Sequence, residues 1–161
     1  MAKLSYKDNP LFEAMGARWI NEIFPEKLGA NKSINHLDLS GLELTDEFAA
    51  AFARDVLKPD TALERLDLSR NSFSGTGLAH IAKKIGFCGL FRIKLTSQKI
   101  GFTKQIITSD AEAELVEACR VSETLSTCNV DWKQQTAMRN AERELMTNIR
   151  EARFKKMAGK V

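Results

Sequence analysis

The chain contains few of the residues that build catalytic or metal centres. Its 161 residues include only two histidines, and neither has a Cys, His or carboxylate partner at the spacing of a zinc site. Its three cysteines, Cys88, Cys119 and Cys128, form an odd and widely spaced set. That arrangement favours reduced thiols packed in a core over a disulfide framework or a catalytic nucleophile. We therefore expect no enzymatic activity, no metal and no cofactor.

Long apolar segments are also missing. The longest apolar run, Phe48 to Ala53, is far too short to span a bilayer. The first residues lack the apolar core of a signal peptide, and Ala2 stands where N-myristoylation requires glycine. No RGG segment or basic-aromatic alternation points to single-stranded nucleic acid. We therefore expect a soluble, cytoplasmic protein with neither a membrane nor a nucleic-acid partner.

An apolar pattern recurs along the chain at intervals of 27 to 29 residues. The units begin at Ile34, Leu63 and Leu90, and each has apolar residues at its positions 1, 4 and 6. Asn71 and Gln98 place an amide at position 9 of the second and third units. This is the pattern of a leucine-rich repeat, in which a short strand enters a turn and stacks on the next unit.

The first two units continue into a predicted helix, because their later apolar residues keep helical spacing. The matching positions are Leu44, Phe48, Phe52 and Val56 in the first unit and Phe73, Gly77, Ile81 and Ile85 in the second. Repeats of this length with a helix after each strand are of the ribonuclease-inhibitor type. We therefore predict an α/β solenoid of about four strand-helix units with parallel strands, over residues 34–133.

The third unit is longer than the others. It has 35 residues between Leu90 and the start of the fourth unit at Leu125, and we place the extra residues in a loop over 101–108. Inserted loops of repeat proteins often contact partners, although a surface excursion without a role is an equal alternative. Lys104 is a candidate contact there, and exposure of Phe102 would mark a contact surface.

Both ends of a solenoid must be covered, because an open end would expose half of a core. We predict an N-terminal capping helix over 9–25, with Asn9 as its cap and Pro10 in its first turn. A second capping helix is predicted over 134–157. Its apolar stripe consists of Met138, Ala141, Leu145, Ile149 and Ala152. The whole chain, 1–161, is then one repeat domain.

The last helix carries the clearest charge feature. At 100° per residue, Arg139, Arg143, Arg150 and Arg153 fall within an arc of about 80°, roughly 120° from the apolar stripe. Residues 139–161 hold seven Lys or Arg against three Glu, so this segment is +4 and the rest of the chain −1. Two interpretations stay open: a solvated helix face, or a binding site for an acidic partner, to which nearby Lys133 could contribute.

The strands offer a second candidate surface, since the residues that alternate with the core leucines point to the concave side. Asp38 and Asp67 lie there beside Arg65, Arg92 and Lys94. We favour pairing of these charges across neighbouring strands over their use by a ligand. Arg92 and Lys94 nevertheless stay among the candidate binding residues.

The order of these landmarks resembles the C-terminal leucine-rich repeat domain of the tropomodulins and leiomodins. The similarity covers residues 34–156, most of the chain. Its landmarks are Arg70-Asn-Ser-Phe-Ser-Gly-Thr-Gly-Leu78, Leu90 to Leu95 with Gln98, Glu112-Ala-Glu114 opening a helix, and Thr124-Leu125 leading to Trp132-Lys-Gln-Gln135 and the basic helix. Thr136-Ala137 stands where the family has a proline near the start of that helix.

Members of that family bind actin at the pointed end of filaments, and the repeat domain with its terminal helix forms one actin-binding surface. The resemblance implies a non-catalytic, cytoskeleton-associated protein that is monomeric outside its complex, with actin contacts on the basic helix and the inserted loop. The family's tropomyosin-binding half has no counterpart among the residues before Ile34, so no tropomyosin site is expected. The alternative is a structural or scaffold subunit of a cytoskeletal or axonemal assembly that does not bind actin.

Overall fold

The computed structural model of the protein describes residues 2–104 and 107–159. Its strands are β1 (Ala2–Ser5), β2 (Ile34–Asp38), β3 (Arg65–Asp67), β4 (Arg92–Lys94), β5 (Lys99–Ile100), β6 (Thr103–Lys104) and β7 (Thr127–Asn129). Five of them form one parallel sheet in the order β1-β2-β3-β4-β7, and β5 and β6 pair as an antiparallel hairpin. The sheet order therefore follows the chain, as a solenoid requires.

The helices are α1 (Pro10–Glu13), α2 (Phe24–Ala30), α3 (Asp46–Asp55), α4 (Gly75–Ile85), α5 (Ser109–Val121) and α6 (Gln135–Ala158), and a π-helical segment, Trp19–Ile23, precedes α2. From α2 to α6, each helix packs on the next helix in the chain. The helices thus form a second layer, and α6 lies at its C-terminal end. The predicted α/β solenoid with parallel strands is confirmed.

The core ladder runs across the strands in the predicted register. Leu37 lies opposite Leu66, Leu66 opposite Ile93, and Ile93 opposite Cys128. All four side chains are buried. Since a shift by one residue would move every apolar side chain to the other face, this alignment fixes the register of the whole sheet.

The amide at position 9 joins neighbouring units. The buried Asn71 donates from Nδ2 to the carbonyl oxygens of Leu39 and Leu68, each at 2.9 Å. Its Oδ1 accepts from the N–H groups of Leu42 and Leu44 at 3.0 and 3.2 Å. One side chain therefore satisfies backbone groups of two successive turns, which would otherwise be buried without partners.

The N-terminal cap differs from the single helix predicted over 9–25. The backbone breaks at Gly16, where φ is +82°, and the helix that follows continues past Pro25 to Ala30. Just before Pro25, the N–H of Phe24 donates to the carbonyl oxygen of Trp19, five residues back. In this π-type turn the backbone bonds join residues five apart instead of four. The helix therefore tolerates Pro25, which has no N–H to donate.

A fifth sheet strand, β1, was not predicted. Ala2 and Leu4 alternate with polar residues, but the strand is only four residues long and lies outside the repeat pattern of the other strands; it pairs in parallel with β2. Aromatic rings close the core beside it. The rings of Trp19 and Phe24 stack with centroids 4.9 Å apart, and Tyr6 meets Phe24 edge-on at 5.6 Å. The N-terminal residues thus cover the first repeat with a strand as well as with helices.

Candidate partner-binding surface

Helix α6 is fixed at its start by a carboxylate from the neighbouring helix. Gln134, the residue before α6, makes no side-chain cap of its own. Instead the N–H groups of Lys133 and Gln134 donate to Oε1 of Glu112, a buried residue of α5. A carboxylate at this place also complements the positive end of the α6 dipole.

The middle of α6 is anchored by a residue outside the predicted apolar stripe. Asn148 is buried, and its Nδ2 donates at 3.0 Å to the carbonyl oxygens of both Cys119 and Leu125. The predicted core position Ala152, in contrast, is exposed, as are all residues from 150 to 159. The expectation for Ala152 was wrong because Ala152 borders an open groove between α6 and the sheet, which leaves it accessible to solvent.

The four arginines of the predicted face are exposed. Arg143 contacts Glu144, with Nη2 3.3 Å from Oε1, whereas Arg139, Arg150 and Arg153 form no ion pair with any residue in the described ranges. At 100° per residue they point to the same side of α6 as three exposed apolar residues. These are Met146, Phe154 and Met157, at 59%, 71% and 68% exposure.

The outward face of α6 is therefore both basic and apolar. Sequence reasoning identified its charges and missed its apolar members, although the signal was present. Phe154 and Met157 are large apolar residues that lie off the core-facing stripe. Unpaired arginines next to exposed Met and Phe are the residue types enriched at protein interfaces.

The inserted segment of the third unit forms the β5–β6 hairpin, which projects from the sheet. Ile100 and Phe102 are exposed on it, and Phe102 is fully exposed. Lys104 Nζ lies 3.3 Å from Oδ2 of Asp131, which also accepts from the Ser97 N–H at 2.8 Å. This ion pair ties the hairpin to the segment before α6. Residues 105 and 106 of the predicted loop lie outside the described residues.

One row of the concave face is internally paired. Asp38, Asp67 and Lys94 are neighbours across β2, β3 and β4. Lys94 Nζ lies 3.3 Å from Oδ2 of Asp67, as cross-strand pairing predicts. Asp38 and Asp67 also each accept hydrogen bonds from the serine two residues ahead. Most of the charge in this row is thus satisfied within the protein.

The neighbouring row is basic. Lys3, His36, Arg65 and Arg92 lie side by side across β1 to β4, and among the residues described none of them forms an ion pair with a carboxylate. Burial lowers the pKa of His36, and the positive charges of Lys3 and Arg65 lower it further. Pairing across strands therefore accounts for one row of the concave face and leaves the other with a positive potential.

The cysteines lie in the core. All three are free and buried. Burial raises the pKa of the Cys88 thiol to about 12, and a hydrogen bond with Cys119 together with burial raises the pKa of Cys128 well above its usual value. Because the thiolate is the reactive form, these thiols act as core residues.

No group of His, Cys, Asp and Glu side chains that could hold a metal ion occurs in the described ranges, 2–104 and 107–159. None of the helices within those ranges is long and apolar enough to cross a membrane.

A parallel repeat sheet, a layer of helices and a long closing helix define a leucine-rich repeat solenoid. More specifically, the fold is that of the tropomodulin and leiomodin C-terminal domains, as the sequence landmarks indicated. A structure of leiomodin-1 actin-binding site 2 superposes with a TM-score of 0.79 at 17% identity, covering 99% of this chain and 87% of that one. The tropomodulin C-terminal domain of Caenorhabditis elegans superposes with a TM-score of 0.77 at 13% identity, covering 98% and 90%. No protein-family model and no curated protein matches the sequence.

Proposed function

We propose that this chain is a non-catalytic protein-binding module whose partner is actin, and that it acts in the cytoplasm in association with the actin cytoskeleton. The observation that carries the proposal is the similarity of the whole fold, including α6, to a solved structure of leiomodin-1 actin-binding site 2. The outward face of α6 supports it, because unpaired arginines beside exposed apolar side chains suit an acidic protein surface with apolar contacts.

The contact would centre on Arg139, Arg143, Arg150 and Arg153. Lys133 lies in the segment that leads into this helix, and Lys104 is tied to the same segment through Asp131. Arg92 and Lys94 extend the surface onto the concave sheet, with Arg92 the stronger candidate because Lys94 is already paired with Asp67. The exposed Phe102 at the hairpin adds an apolar contact on the same end of the solenoid.

Binding by this surface alone should be weak and sensitive to salt. Exposed charges are screened beyond a Debye length of about 8 Å at physiological ionic strength. A single surface also lacks the gain in effective concentration that comes from linking two sites. Sedimentation with filamentous actin at low and moderate salt therefore suits the expected strength of the interaction.

The decisive variant reverses the α6 arginines to Glu, and a matched control reverses four exposed lysines elsewhere. The control positions are Lys7, Lys27, Lys58 and Lys84. Both variants change the net charge equally, so a general electrostatic effect would weaken both. We expect the arginine variant alone to lose sedimentation with filaments. If wild type fails to pellet above background even at low salt, or both variants lose binding equally, the proposal is wrong.

A further inference from the structure

A groove lies between the distal half of α6 and the sheet edge formed by β4 and β7. Its volume is about 350 Å³, within the range of about 300–1,000 Å³ typical of binding pockets. Phe91 lines it from the segment before β4, and Ile149 and Ala152 line it from α6. Phe91 and Ala152 are exposed, so the groove presents apolar surface to solvent.

Three cationic side chains line the same groove. Arg92 lines the groove from the sheet, and Arg153 and Lys156 line it from α6. All three are exposed, and within residues 2–104 and 107–159 none of them is in an ion pair. No Asp or Glu is among the residues that line the groove. Lys155, the neighbour that does pair with a carboxylate, Glu123, is not among those residues either.

The positive charge continues away from the groove. Arg92 lies beside Arg65 in the parallel register, and Arg65 lies beside His36, so the basic row of the concave face leads out of the groove across the sheet. A second cavity of about 390 Å³ meets the groove at Ser126 and Thr127, and it contains Glu142 instead of cations. The groove and this second cavity adjoin beneath α6, and of the two only the groove is lined by cations.

We propose that this groove binds a short acidic peptide segment, in which a bulky apolar side chain lies on Phe91 and Ile149 and flanking carboxylates pair with Arg92, Arg153 and Lys156. Charge complementarity carries the assignment, because unpaired cations from two separate elements converge on an apolar pocket that has no carboxylate of its own. The proposal deepens the protein-binding role proposed above. It shares Arg92 and Arg153 with the proposed actin-binding surface and does not require the partner to be actin.

A protein segment fits the groove better than an anionic membrane. The apolar residues of the groove come from two separate elements, Phe91 from the sheet side and Ile149 from α6, with cations on both. Membrane-surface helices instead expose their apolar face on the outside of the molecule. The test therefore includes vesicles as a separate arm.

The probe is the fluorescein-labelled peptide Asp-Glu-Leu-Phe-Asp-Glu, and binding to the full chain is followed by fluorescence anisotropy. Replacing its carboxylates by amides should weaken binding because the ion pairs with the groove are lost. Replacing Leu-Phe by Ser-Ser should also weaken it, because the apolar contact is lost. Reversing both Arg153 and Lys156 to Glu should weaken binding by roughly tenfold or more, because two exposed ion pairs become repulsive. Reversing Lys27 and Lys58 to Glu is the matched control, since it changes the net charge equally and neither exposed lysine lines the groove.

Equal binding of the acidic and amide peptides would overturn the proposal, as would equal losses for the Arg153/Lys156 variant and the Lys27/Lys58 control. So would sedimentation with phosphatidylserine vesicles in the absence of peptide binding, which would assign the cations to a membrane. The two proposals can fail separately. If wild type pellets with filaments and does not bind the peptide, only the groove assignment falls, and the reverse result removes only the actin assignment.

Discussion

Position 8 of each of the first three repeats adopts a left-handed backbone. The φ angles there are +71° at Gly41, +57° at Arg70 and +61° at Ser97. Only the first unit uses glycine, the residue that reaches this conformation without strain, so the other two units carry a strained residue in the same turn. Arg70 also forms an ion pair with Asp8, which offsets part of that strain.

Ser97→Gly should stabilise the protein. Relief of the left-handed strain outweighs the added entropy of the unfolded chain, and we expect a gain of about 0.5 to 1 kcal/mol. Gly41→Ala is the opposite control, because alanine is strained at a φ of +71° and its Cβ would also crowd the Asp8 carboxylate that pairs with Arg70. Urea denaturation measures both variants. The interpretation fails if Ser97→Gly is destabilised as much as Gly41→Ala.

At the scale of the element, Glu112 decides where α6 begins. Glu112→Ala would leave the N–H groups of Lys133 and Gln134 without an acceptor, and we expect a loss of about 1 to 3 kcal/mol in unfolding free energy. Glu112→Gln keeps an oxygen where Oε1 lies and should lose much less. Thermal unfolding by circular dichroism compares the two. Equal losses would show that the carboxylate charge, and not the hydrogen bonds, holds the helix start.

The distal turns of α6 should contribute to binding and little to stability. Deleting 151–161 removes Arg153, Phe154 and Lys156 along with residues that are all exposed over 151–159. Surface changes away from core contacts usually alter stability by no more than about 0.5 kcal/mol. We therefore expect an almost unchanged melting temperature together with weaker sedimentation with actin filaments. A large drop in melting temperature would mean that these turns pack on the body of the protein.

At the scale of the whole molecule, the sequence predicted the structure wherever the same structural position recurs in successive repeats. Leu66 and Ile93 could be aligned because each buried strand position recurs in the next unit. Asn148 could not be foreseen, since its role depends on carbonyl groups supplied from distant positions, whereas β1 was missed because its four residues lie outside the repeat pattern. The arginine face of α6 followed from helical geometry, and the same geometry places the exposed Phe154 off the core-facing stripe.

The basic row of the concave sheet links stability to pH through His36. Burial, followed by the charges of Lys3 and Arg65, holds the pKa of His36 below the ordinary value of 6.5, although Asp38 and Asp67 oppose the shift. The unfolded chain therefore binds the proton more readily than the folded one. This contribution to stability is complete above the unfolded pKa and declines as the pH falls from there through the folded pKa.

His36→Asn removes this titration and keeps a polar side chain in the row. Below pH 6.5 the wild type should lose melting temperature relative to the variant, whereas above that pH the difference between the two should be constant. Subtracting the melting temperatures of the two proteins at each pH removes the effect of carboxylates that titrate in both. A His80→Asn variant controls for a histidine on the outer surface of α4. A wild-type minus His36→Asn difference that is flat across the range would contradict a lowered pKa for His36 in the folded protein.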